Sequence, residues 1–192
     1  MRLGLLISGI LLASCGPDPI SETARESALA TCQDEIKKVL VAPATFRLVY
    51  SDVMLSSRPV TYLQYSSDIE RKIVWEGEQP GGSRIAANGV LAYMRDPRYA
   101  AEVEERSREG YERYRSLPTR KRRKAFVLLE HDSENSFGAP LRGFSICDFS
   151  YLGESERFGP HDLIHAGPVS RKLAEEAKVS FSRDSARDDE PN

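Results

Sequence analysis

Apolar positions along the chain change their spacing several times, and each change marks a segment boundary. Residues 3–13 are apolar or small throughout, behind a single positive charge at Arg2. From Ser21 to Leu40 the spacing becomes helical. Leu29, Cys32, Ile36, Val39 and Leu40 share one face, and Gln33, Asp34, Lys37 and Lys38 lie opposite. Thr23 followed by Glu26 offers a capping box near the start. Pro43 closes the helical zone, because a proline biases the residue before it toward extended backbone. Runs rich in β-branched and aromatic residues then predict strands at Phe46–Met54, Val60–Tyr65 and Lys72–Trp75, the first two parted by the turn-like Ser56-Ser57-Arg58-Pro59. Residues 77–83 read as a loop, and residues 84–95 as a strand pair about an Asn88-Gly89 turn.

Asp96-Pro97 is a strong helix start, with an acid at the cap and proline at the first helical position. The helix expected over 96–116 sets Tyr99, Val103, Tyr111 and Tyr114 on one side and is dense in Glu and Arg elsewhere. Two readings stay open: a surface helix with a narrow aromatic stripe, or a partner-binding helix with Tyr99, Tyr111 and Tyr114 as its contacts. Thr119–Lys124 is a block of basic residues leading into the strand-like Ala125–His131. It reads as a solvated loop guarding a strand edge, or as a contact for anionic lipid headgroups. Asn135, Gly138 and Pro140 mark a turn before a strand over Leu141–Leu152, and a short helix is expected around Val169–Val179. Residues 181–192 have the composition of a disordered tail.

Composition narrows the class. With 40% hydrophobic and 29% charged residues in 192, the chain suits one folded domain with tails. A net charge of −2 argues against a general nucleic-acid binder.

The first 14 residues have the layout of a secretory signal: a charged start, an apolar centre and small residues before a cleavage point. The run is too short to span a bilayer, which takes about 20 apolar residues, since Pro17, Asp18 and Pro19 follow at once. Leu12-Ala13-Ser14-Cys15 resembles the lipobox of bacterial lipoproteins, which implies cleavage before Cys15 and lipid on its thiol. An ordinary signal peptide with a chance cysteine, or a buried helix, is the alternative. On the lipoprotein reading residues 15–20 are a tether, membrane attachment is through the N-terminal lipid, and Gly16 favours the periplasmic face of the outer membrane over the inner membrane. Cys32 and Cys147 then meet an oxidising compartment, where a disulfide is the default for two cysteines.

Two stretches, Cys32–Phe46 (CQDEIKKVLVAPATF) and Asn135–Cys147 (NSFGAPLRGFSIC), together resemble a family of small bacterial envelope and phage-associated domains of unknown function. The resemblance implies a single α+β domain over 21–180, with an N-terminal helix packed on a small antiparallel sheet and Cys32 bonded to Cys147. It makes the charged helix about 96–116 an insertion. It implies no catalytic residues and no cofactor.

Other chemistry finds little footing. His161 and His165 are four apart, with Asp162 beside them and His131 or Asp132 as further donors, but glycine and proline flank the pair and leave room for about one helical turn. They are expected to be surface histidines rather than metal ligands. There is no Gly-x-Ser-x-Gly elbow outside the signal, and the Gly-rich loop lacks the Lys-Ser/Thr ending of a phosphate loop. The expectation is a lipid-anchored envelope module for binding or assembly, with an envelope protein as partner. A phage-related or structural accessory lipoprotein and a small periplasmic enzyme are the alternatives.

Overall fold

A computed structural model describes residues 19–56, 59–78, 95–150 and 156–188. Cys15, the apolar run before it and the strand pair read around Asn88-Gly89 lie outside the described residues. Among these residues the chain is an α+β mix of four helices and one four-stranded antiparallel sheet. Its first helix lies against the sheet, as the sequence led us to expect.

Helix α1 (Pro19–Val39) begins earlier than the sequence suggested, inside the stretch read as a tether, so Thr23 is within the helix and does not cap it. Ala24, Ala28, Cys32 and Ile36 recur at intervals of four and are all buried. Val39 falls about 60° round the helix from Ile36 at 100° per residue, and is 58% exposed. Small residues at the first two of these positions let the helix approach the sheet closely, and Cys32 bonds there to Cys147 across a Cα–Cα distance of 5.7 Å.

Strands β1 (Arg47–Leu55), β2 (Ala125–Glu134), β3 (Pro140–Phe149) and β4 (Leu163–Pro168) pair in sequence order. The β2–β3 hairpin runs in register from Ala125↔Phe149 to Glu134↔Pro140. Alternation then assigns the faces. Val53, Leu55, Val127, Leu129, Cys147 and Phe149 meet α1. Leu128, Phe126, Phe144 and Ile146 point the other way, onto Ala174 and Ala177 of helix α4 (Arg171–Asp188). Both faces of β3 are therefore covered, which explains why its sequence alternates so poorly. Helix α4 also runs to Asp188, well into the stretch read as a disordered tail.

Strand β1 forms one edge of the sheet. Ser56 donates to the Lys124 carbonyl at 2.9 Å, which turns the carbonyl of Val53, three residues away, toward the outside. The Arg25 guanidinium of α1 donates to that carbonyl. An outward backbone acceptor is thus capped, and an irregularity between Leu48 and Tyr50 breaks the rest of the edge.

The strands read at Val60–Tyr65 and Lys72–Trp75 are instead the two ends of one helix, α2 (Tyr62–Glu78). Thr61 and Gln64 decide the start. The Gln64 amide donates to the Thr61 hydroxyl at 3.3 Å, and the Thr61 amide donates to the Gln64 side chain at 2.8 Å. Tyr65, Ile69 and Ile73, four apart, are buried against α3 (Pro97–Ser116). Asp96 caps α3, its side chain accepting from the Arg98 amide at 2.9 Å.

Candidate functional site

The α2–α3 pair is fastened to the sheet by four charges that share no local sequence pattern. Asp68 and Arg71 on α2 meet Lys124 at the start of β2 and Asp148 near the end of β3. Arg71 lies 2.7 Å from Asp68 and 2.6 Å from Asp148, while Lys124 lies 2.6 Å from Asp68 and 3.6 Å from Asp148. Two acids and two bases make the group neutral, which is what permits Asp68, Asp148 and Lys124 to be buried while Arg71 stays half exposed. Burial still raises the Asp148 pKa, outweighing the opposing pull of Lys124 and Arg71. One oxygen of Asp148, Oδ1, is buried without a hydrogen-bond donor, with the Lys124 ammonium 3.6 Å away.

Beside this group a cleft of about 170 Å³ opens between α2, α3 and the turn leading into β4. Its apolar wall is Tyr65, Ile69 and Ile164, all buried, and its polar rim includes Lys72, Arg106, His161 and Asp162. Lys72 donates to the His161 carbonyl, which draws α2 onto the turn before β4. Burial lowers the Lys72 pKa, against the charges of Glu76 and Asp162, and raises that of Asp162, whose carboxylate accepts from the Gly159 amide at 2.9 Å. The cleft thus sets apolar side chains beside charges partly withdrawn from solvent.

The residues singled out in the sequence fall into different places. Tyr99 and Tyr114 are 6% and 1% exposed, packed on α2 beside Tyr111. Their stripe holds the helical hairpin together and is not a free partner surface, a correction with a simple cause: α2 was read as strands, so α3 had been left without a neighbour. The Tyr114 hydroxyl accepts from the Val60 amide at 2.8 Å, and the Tyr99 hydroxyl donates to Glu70 at 3.1 Å. Lys124, read as part of a solvated basic block, is 7% exposed and belongs to the buried charge group. Cys32 and Cys147 are both fully buried and bonded.

His161 lies on a short 3₁₀ turn (Pro160–Asp162), 3.2 Å from Asp162, and His165 lies on β4. The chain passes from turn to strand between them, so the two do not share a helical face. Among the described residues no three metal-ligating side chains converge. His131 is elsewhere, buried under Phe46, its Nε2 3.1 Å from the Ser145 hydroxyl. A serine beside a histidine invites comparison with a nucleophile and its base. Here both side chains are sealed in the core, and His131 Nδ1 has no hydrogen-bond partner, so the base has no orienting acid.

The opposite end of the molecule carries Phe137, the most exposed large apolar side chain among the described residues. The β2–β3 turn is set by Asn135, whose side chain accepts from the amides of Phe137 (2.9 Å) and Ala139 (3.0 Å), and by Gly138 at φ +76°. That frame holds Phe137 out at 92% exposure, with Leu141 at 54% nearby on β3.

No protein-family model, curated protein or solved structure matches this chain.

Proposed function

We propose that the chain is a lipid-anchored module of the bacterial envelope, attached through Cys15 at the periplasmic face of the outer membrane, that binds or assembles an envelope protein at its far end. The observation that carries this reading is the opposition of the two ends. Arg25, near the start of α1, reaches Val53, and Lys37, near its end, lies 5.4 Å from the Phe46 ring. Helix α1 thus runs from the Val53 end of the sheet toward the β2–β3 turn. Twenty-one residues of helix extend about 30 Å at 1.5 Å per residue. A lipid placed on Cys15 would leave Phe137 directed away from its own membrane.

The buried Cys32–Cys147 bond adds support, since a structural disulfide suits an oxidising compartment. Among the described residues no helix is long and apolar enough to cross a membrane. Two substitutions test the reading together. Cys15→Ser should leave the protein uncleaved or move it to the soluble fraction. A photo-crosslinker at Phe137 in intact envelopes should capture one protein species, while the same probe at Glu112 on the outer face of α3 should not. Processing and membrane retention of Cys15→Ser as in wild type removes the anchor, and equal capture from both probe sites removes the far-end contact.

A further inference from the structure

We infer that the cleft between α2, α3 and β4 is a binding site for a small organic anion, a carboxylate with a short apolar tail. Most charges around the cleft are already spent on partners. Asp68 is held by Lys124 and Arg71, both within 2.7 Å. Asp162 accepts from the Gly159 amide and lies 3.2 Å from His161. Arg106 makes two hydrogen bonds to Glu76, each 3.2 Å.

Lys72 is different. Its ammonium has three donors, and its hydrogen bond goes to the His161 carbonyl, an uncharged acceptor. The nearest carboxylate, on Glu76, is 3.9 Å away. Lys72 is 14% exposed at its side chain, so water supplies little in its place. A cation that is desolvated and lacks a hydrogen-bonded carboxylate favours an incoming anion, and burial of the ion pair strengthens each contact.

The rest of the wall sets the ligand's other end. Tyr65 and Ile69, 5% and 9% exposed, supply the apolar surface an aliphatic tail would meet, and the fully buried Ile164 backs them. A volume of about 170 Å³ is below the ~300 Å³ where drug-sized pockets begin. A short chain fits that space, and a long acyl chain does not. Acetate would reach Lys72 but forfeit the apolar wall, and an amine would meet Lys72 with like charge.

Titration of the full-length protein with sodium hexanoate, followed by the methyl resonances of Ile69 and Ile164, tests this. Saturable shifts at both residues are expected, with hexylamine producing none. Lys72→Met should weaken hexanoate binding roughly tenfold or more, the loss expected for a charge-assisted hydrogen bond. Because Lys72 also ties α2 to the turn before β4, Ser150→Phe, which fills the cleft from the other side and leaves Lys72 in place, is the second variant and should abolish the shifts. Absence of saturation, an equal response to hexylamine, or wild-type affinity in a folded variant of either kind overturns the assignment.

Discussion

Cys32 on α1 and Cys147 on β3 are bonded at the centre of the core that the helix makes with the sheet, at a sequence separation of 115. Both side chains are fully buried, so the bond restrains the unfolded chain while also filling core space. Closing a loop of this length restricts the unfolded state by roughly 4–5 kcal/mol in the chain-entropy picture. That is comparable to the whole stability of many small domains. Cys32→Ser, Cys147→Ser and the double variant should therefore lose similar amounts, about 3–5 kcal/mol each, as measured by urea unfolding. Reductant should destabilise wild type to the same degree and leave the double variant unmoved. A double variant as stable as oxidised wild type would refute the staple.

Gly110 on α3 gives the second prediction. A Cβ at this position would come within 2.4 Å of the Tyr65 hydroxyl oxygen and 3.1 Å of its ring. Tyr65 cannot simply turn aside, being 5% exposed and packed between Tyr111 and Tyr114 at 5.6 Å from each ring. Gly110→Ala gains helix propensity of about 1 kcal/mol but overpacks this contact at a cost of about 1–3 kcal/mol. Net destabilisation is expected, and Gly110→Ala combined with Tyr65→Phe, which removes the clashing oxygen, should recover part of it. Thermal unfolding of the three variants checks the order.

How far the sequence could be read follows from what each signal contains. Helix α1, α3, the β2–β3 hairpin and the Cys32–Cys147 pair were legible because spacing, caps and compartment each pointed one way. Helix α2 was not: Val60–Tyr65 is rich in residues that favour strands, and propensity there outweighed the Thr61…Gln64 capping box that sets the real boundary. That single miss hid the rest. Without α2 the Tyr99–Tyr114 stripe had nothing to pack on, and Asp68 and Arg71 had no reason to meet Lys124 and Asp148, 53 or more positions later in the sequence. A charge group assembled from three separate elements leaves no local pattern. Only the depth at which Lys124 enters its strand, directly before the apolar Ala125, hinted that the basic block was not all solvated.

The buried charge group predicts a non-additive pair of substitutions. Lys124→Met leaves Asp68 and Asp148 with one cation between them, and should cost about 3–5 kcal/mol, the penalty for an unmatched buried charge. Asp68→Leu alone leaves Arg71 and Lys124 sharing Asp148 and should cost a similar amount. The double variant restores neutrality, because Arg71 and Asp148 remain together at 2.6 Å. It should be more stable than either single variant, and a double-mutant cycle from urea unfolding measures the coupling. Simple additivity would show that the four charges do not act as one group.

His131 predicts how stability responds to acid. Its ring lies in the core against Phe46, its centroid 5.2 Å away, with Nε2 on Ser145 and Nδ1 unpartnered, and it fills the space that a Cβ on Gly143 would take, 2.7 Å from the ring. Burial lowers its pKa below the ordinary 6.5, while the neighbouring Asp132 pulls it the other way. The folded chain therefore binds this proton less readily than the unfolded chain. Where the unfolded state holds more protons, stability rises with pH. The penalty thus appears as pH falls through 6.5 and stops growing once the folded pKa is passed. Asp148 and Asp162, with raised pKa values, act in the opposite sense, their folded forms taking up protons above the usual 3.8. A comparison that cancels them isolates the histidine. His131→Leu should abolish most of the stability loss seen in wild type between about pH 7.5 and 5.5, while unfolding curves at the upper end differ only by a pH-independent offset. If the two proteins lose stability in parallel across that window, His131 does not control it, and the acid response belongs to other groups.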